Sequence, residues 1–109
     1  PIGFLLAWDP VTQTERWRIP METQRNGGTM TTAGNLIFSG GLDGFIYAHD
    51  ATTGEKLWER TLEPGPASPV TYELDGRQYV TILTGPQGGS RVWTFTLDGN
   101  APEPRRPTE

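Results

Sequence analysis

The stretch Ala48-His49-Asp50-Ala51-Thr52-Thr53-Gly54-Glu55-Lys56-Leu57-Trp58 decides how the chain is read. It describes a strand ending near Ala48, a tight turn, and an outgoing strand that carries an indole. Asp50 and Thr53 are short polar side chains able to bond turn backbone. Gly54 supplies a positive φ that a β-branched residue could not. Trp58 returns on the second strand with ~150–250 Å² of surface to bury. The pattern also stands 41 residues upstream (48 − 7 = 58 − 17) as Ala7-Trp8-Asp9-Pro10-Val11-Thr12-Gln13-Thr14-Glu15-Arg16-Trp17. Alanine, aspartate, threonine and tryptophan keep register, and only the glycine is replaced, by Gln13. A turn duplicated at this period predicts repeated sheet units.

Working outward, 109 residues hold one domain at most. Fourteen Gly and ten Pro make the chain turn-rich, while four Trp and four Phe can nucleate packing. A net charge of −4 argues against nucleic acid, because no basic stripe is present to displace counterions. No apolar run approaches the ~18 residues that a membrane-spanning helix needs. The absence of cysteine excludes disulfides and thiolate metal sites. The chain enters a strand almost at once from Pro1 and reads as a C-terminal fragment.

Residues 3–9 are a short apolar run and 15–19 alternate polar with apolar, together a hairpin. Residues 20–28 read as a polar loop. Four closely spaced strands follow at 29–33, 35–40, 44–49 and 55–62, with Asn35 in a Gly-Asn turn and Asp43-Gly44 as a hairpin signal. Four short antiparallel strands in about 40 residues have the size of a propeller blade. Residues 63–69 carry three prolines and serve as a connector. The next unit repeats the plan with strands at 70–74, 77–84 and 91–98, joined by Asp75-Gly76 and a glycine-rich loop over 85–89. Within 77–84, Tyr79, Thr81 and Leu83 share one face and Val80 and Ile82 the other. No helical periodicity occurs. The fold expected is all-β, with antiparallel four-stranded sheets as propeller blades. Residues 1–20 end one blade, 21–66 form a complete blade, 67–99 form a final blade lacking its last strand, and 100–109 are a Pro-rich tail or linker.

The residues from Ala48 to Trp58 meet in full the consensus Ala-x-Asp-x-x-Thr-Gly-x-x-x-Trp. This resembles the tryptophan-docking motif of the PQQ-dependent alcohol dehydrogenases, eight-bladed quinoprotein propellers. The segments Asn26-Gly27-Gly28-Thr29-Met30, Gly41-Leu42-Asp43-Gly44 and Pro69-Val70-Thr71-Tyr72-Glu73-Leu74-Asp75-Gly76 are similar to the C-terminal region of that family. The likeness extends over residues 5–99 in unbroken order. It implies alcohol oxidation by hydride transfer to PQQ, with Ca²⁺ or a lanthanide polarising the quinone and an aspartate as base. It also implies a c-type cytochrome as electron acceptor, a small alcohol as substrate and a periplasmic location.

The same resemblance places the metal ligands and the base upstream, so this segment carries no catalytic residue and no metal ligand, and alone is not expected to be active. It implies cofactor contacts from Asn26, Gly27, Gly88 and Gly89, where glycines let backbone approach a flat ligand. The sequence departs from its relatives at Arg25 and at Pro86-Gln87, both positions where they carry tryptophan. Arg25 can pair a PQQ carboxylate or equally point to solvent. The alternative function is a non-catalytic propeller of the same repeats acting as a protein-binding scaffold.

The residues also have plain structural readings. Trp17 and Trp58 are packing groups, each expected to cost on the order of 3–5 kcal/mol when cut to alanine, if buried. Asp9, Asp50 and Asp98 are turn formers with no carboxylate partner. His49 is the single histidine and occupies an alternating strand position, so neither a histidine metal cluster nor a Ser-His-Asp triad has support.

Overall fold

Strand boundaries follow the turn formers. The computed structural model describes residues 3–21, 26–41, 43–62, 68–85 and 91–99. Nine strands run in order: β1 Gly3–Asp9, β2 Thr14–Met21, β3 Asn26–Thr31, β4 Leu36–Gly41, β5 Phe45–Asp50, β6 Lys56–Thr61, β7 Val70–Leu74, β8 Arg77–Thr84 and β9 Arg91–Phe95. They form three antiparallel sheets of two, four and three strands, each with its strands in sequence order (β1-β2, β3-β4-β5-β6 and β7-β8-β9). No helix occurs among the described residues.

The turns show how local chemistry sets this order. Asn35 joins β3 to β4 at φ 65°, and Asp75-Gly76 joins β7 to β8 with φ of 52° and 76°. Both are left-handed conformations that Asn, Asp and Gly adopt at little steric cost. The main departures from the sequence expectation fall in the 20–28 segment and at the end of the last strand. β2 continues to Met21 and β3 already begins at Asn26, because ladder pairing of Gly3 with Met21 and of Asn26 with Gly41 extends strands into the expected 20–28 loop. β9 stops at Phe95, where the Gly99 amide donates to the Thr96 carbonyl in a turn.

The alternation along β8 decides where the core lies. Val80 and Ile82 are buried on one face, while Leu83 on the other remains exposed. Ile46, Leu62, Val80 and Ile82 form one buried cluster, edged by Met30, Phe38, Trp93 and Phe95. The four-stranded and three-stranded sheets are therefore stacked face to face, as the two-residue side-chain period requires. Two apolar faces point away from this stack. Phe4, Leu6 and Trp8 line one side of β1, and Val70, Tyr72, Leu74, Leu83 and Val92 line the outer side of the third sheet.

Candidate functional site

The duplicated corner is built the same way twice. In the first copy the Asp9 carboxylate accepts from the backbone N–H groups of Val11 (2.9 Å) and Thr12 (3.3 Å). In the second, Asp50 accepts from those of Thr52 (2.8 Å) and Thr53 (3.0 Å). The ladder shifts register after Ala7 in one copy and after Ala48 in the other, so each corner carries its bulge at the same motif position. The second copy has a further support. The Asn35 side-chain amide donates to Asp50 (3.3 Å) and Thr52 (3.0 Å), while the Asn35 backbone carbonyl accepts from the Ala51 N–H (2.9 Å).

These backbone donors set the electrostatics of both aspartates. The Thr53 and Thr52 amides hold the Asp50 carboxyl below its ordinary value of 3.8, and those of Val11 and Thr12 do the same for Asp9. A lowered carboxyl pKa contributes stability that is fully present above 3.8 and lost as pH falls through the lowered value. Asp50→Asn is therefore expected to flatten the acid limb of the stability profile. Melting temperatures between pH 6 and pH 2.5 check this, and an unchanged acid slope in the variant would refute it.

The corner is a seat for an indole. The Trp17 ring of the first sheet lies over the 51–54 turn, and its Nε1–H donates to the Ala51 carbonyl at 3.0 Å. A Cβ on Gly54 would lie 2.9 Å from Trp17 Cδ2. Gly54 has φ 80°, yet Gln13 occupies the matching position with φ 54°. Positive φ alone therefore does not demand glycine; the approach of Trp17 does. Trp58 corrects the expectation that the two tryptophans are equivalent. It remains 37% exposed and meets the third sheet edge-on at Phe95, with ring centroids 5.3 Å apart.

The residues proposed from sequence for cofactor contact are placed as follows. Asn26 and Gly27 lie at the start of β3, the edge strand of the four-stranded sheet. Asn26 pairs with Gly41 and Thr29 with Ser39, so β3 carries one extra residue between them, a bulge at Gly27-Gly28. Gly28 sits at φ 99°, and a Cβ there would lie 3.0 Å from Ser68 Cβ. Its glycine is thus explained by close packing on the segment that leads to β7. Gly88, Gly89, Arg25 and Pro86-Gln87 lie outside the described residues.

The bulge at Gly27-Gly28 takes one residue out of the ladder at the sheet edge, and unpaired backbone N–H groups suit the carbonyls and carboxylates of a planar quinone. It offers no proton acceptor of its own. Among the described residues no group of three or more His, Cys, Asp or Glu side chains could hold a metal ion, and no helix is long and apolar enough to cross a membrane.

Residues 1–80 match the profile of the glucose/ethanol/alcohol dehydrogenase β-propeller domain, PQQ. The chain belongs to this family. Quinohemoprotein alcohol dehydrogenase ADH-IIG of Pseudomonas putida is 50% identical over 96 residues, covering 87% of this chain and 13% of that protein. Quinohemoprotein alcohol dehydrogenase of Comamonas testosteroni is 45% identical, covering 95% of this chain and 17% of its own length. The crystal structure of the Comamonas testosteroni enzyme superposes with a TM-score of 0.88 at 42% identity, over 97% of this chain and 18% of that one. The all-β sheets are thus those of a quinoprotein propeller. The chain spans less than a fifth of the relatives it matches.

Two functional features escaped the sequence reading. Asn35 reads as a turn residue, and its grip on Asp50 and Thr52 depends on a loop 15 or more residues away. His49 reads as an ordinary strand position, but it is 3% exposed. The repeat carries no signal for the second, since Trp8 at the matching position of the first copy is exposed.

Proposed function

We propose that this chain is part of a PQQ-dependent dehydrogenase that oxidises alcohols, contributing inter-blade packing and one edge of the cofactor pocket. The observation that carries this reading is the unbroken likeness to a quinohemoprotein alcohol dehydrogenase over 97% of the chain. In this reading residues 1–20 end one blade, 21–66 form a complete one and 67–99 form the last, closed by a strand from elsewhere in the polypeptide. The two open apolar faces, on β1 and on β7–β9, are then covered by the remainder of the propeller.

When bound, PQQ supplies the two-electron acceptor. The Asn26 amide and the backbone at Gly27, with Gly88 and Gly89, hold its polar rim and let the chain approach its plane. Ca²⁺ and the catalytic base belong to residues outside this segment. A c-type cytochrome accepts the electrons, and the enzyme works in the periplasm; a relative from Thauera butanivorans carries the name 1-butanol dehydrogenase (cytochrome c).

The test uses the full-length polypeptide containing these residues, reconstituted with PQQ and Ca²⁺ and assayed for alcohol-dependent dye reduction. Activity is expected. Asn26→Ala is expected to weaken PQQ binding about fivefold, the loss of one hydrogen bond. No activity across alcohols and aldehydes would overturn the reading in favour of a binding scaffold.

A further inference from the structure

The seam between the first two sheets buries a titratable group with no partner. His49 is 3% exposed, and its Nδ1 has no hydrogen-bond partner among the described residues. It lies on the face of β5 that carries Phe45 and Tyr47, with the Tyr47 ring 6.0 Å away. A cavity of about 350 Å³ opens there, walled by Ile19, Pro20 and Met21 of β2 and by Tyr47, His49 and Lys56 across the seam.

Lys56 and Asp43 are the charged groups lining this cavity, and neither forms an ion pair with the imidazole among the described residues. Lys56, the register partner of His49 on β6, is paired with Glu59 at 3.1 Å. Asp43, at the β4–β5 hairpin, accepts the Tyr47 hydroxyl at 2.6 Å. Ile37 lies opposite on β4. On β2 the residues facing the cavity are apolar, and Arg18 reaches the Phe4 ring instead. The Trp17 seat follows at once, since Asp50 and Ala51 are the next two residues in the chain.

We propose that His49 is a pH-responsive latch on this seam: neutral, it stays buried beneath β2 and lets Trp17 dock, and protonated, it draws the seam open to reach water. A buried imidazolium would stand beside the like charge of Lys56 with no ion pair of its own, and the cavity between β2 and β5 is the opening at its edge. Burial, with Lys56 adding to it, holds the imidazole below its ordinary value of 6.5. The sign is therefore fixed. Docking is strongest above pH 6.5 and weakens as pH falls from there through the lowered value, by about tenfold per pH unit.

The test follows hydrogen exchange of the Trp17 indole N–H and the seam amides by NMR on the full chain, with rates corrected for intrinsic pH dependence. Between pH 7.5 and pH 5.5 the opening equilibrium is expected to rise, by at most about tenfold for the single proton taken up on opening, and to stay flat in His49→Gln and His49→Phe. An equal rise in the variants, or none in the unmodified chain, would overturn the proposal. Titration of the single histidine in the unmodified chain decides independently of any variant. A midpoint below 6.5 supports the latch, and one at or above 6.5 contradicts it.

Discussion

Replacing Trp17 with alanine destabilises the chain by about 3 kcal/mol, toward the lower end for truncating a large aromatic, because the ring is half-buried. Two losses combine. The apolar face of the indole no longer covers the 51–54 turn, and the Ala51 carbonyl loses its donor. Trp58→Ala is expected to cost less, about 1–2 kcal/mol, since Trp58 is 37% exposed and keeps one edge contact with Phe95. Urea unfolding of the two variants checks the order. Equal losses would mean that the indoles play equivalent parts, contrary to their surroundings.

Gly54→Ala is expected to lose about 2–3 kcal/mol, far more than a methyl on an exposed turn ordinarily costs. A left-handed alanine contributes about 1 kcal/mol. The remainder comes from displacing Trp17, whose Cδ2 would stand 2.9 Å from the new carbon. The reverse change in the other copy gives the contrast. Gln13→Gly removes only backbone strain and is expected to alter stability by less than about 1 kcal/mol, since Gln13 already holds φ 54° as an exposed residue. Thermal melts of the pair read this directly, and comparable effects at both glycine positions would contradict it.

The strands were legible because their determinants are local. Alternation along β8 put Val80 and Ile82 together on one face and Asp75-Gly76 marked its hairpin, but both faces carry apolar groups, so the face that meets the core was not marked. The 41-residue spacing of the corner identified a repeat, and the geometry reproduces it down to the bulges after Ala7 and after Ala48. What sequence could not separate was the fate of two identical side chains. Trp17 and Trp58 hold the same motif position, but what each meets depends on the sheet beside it. The seat for Trp17 includes Asn35, and the neighbour of Trp58 is Phe95, neither of which the motif contains.

The cofactor contacts were legible only through resemblance. Asn26-Gly27-Gly28 has no periodicity that marks a ligand, and one of its glycines serves close packing on Ser68. The contacts proposed for Asn26 and Gly27 depend on backbone shape at a bulge, which a string of residue types does not encode. His49 was missed for the opposite reason. Its surroundings include residues of β2 that share a cavity with it across the seam, neighbours that lie far from it in the chain.

A double-mutant cycle on Trp17→Ala and Gly54→Ala tests most directly whether the indole of one sheet locks onto the corner of the next. With Trp17 gone, the alanine at position 54 meets no ring, and its cost should fall to about 1 kcal/mol of backbone strain. A coupling of about 1–2 kcal/mol is therefore predicted. Strictly additive losses would show that the two residues do not touch, and the seam between the sheets would need another explanation.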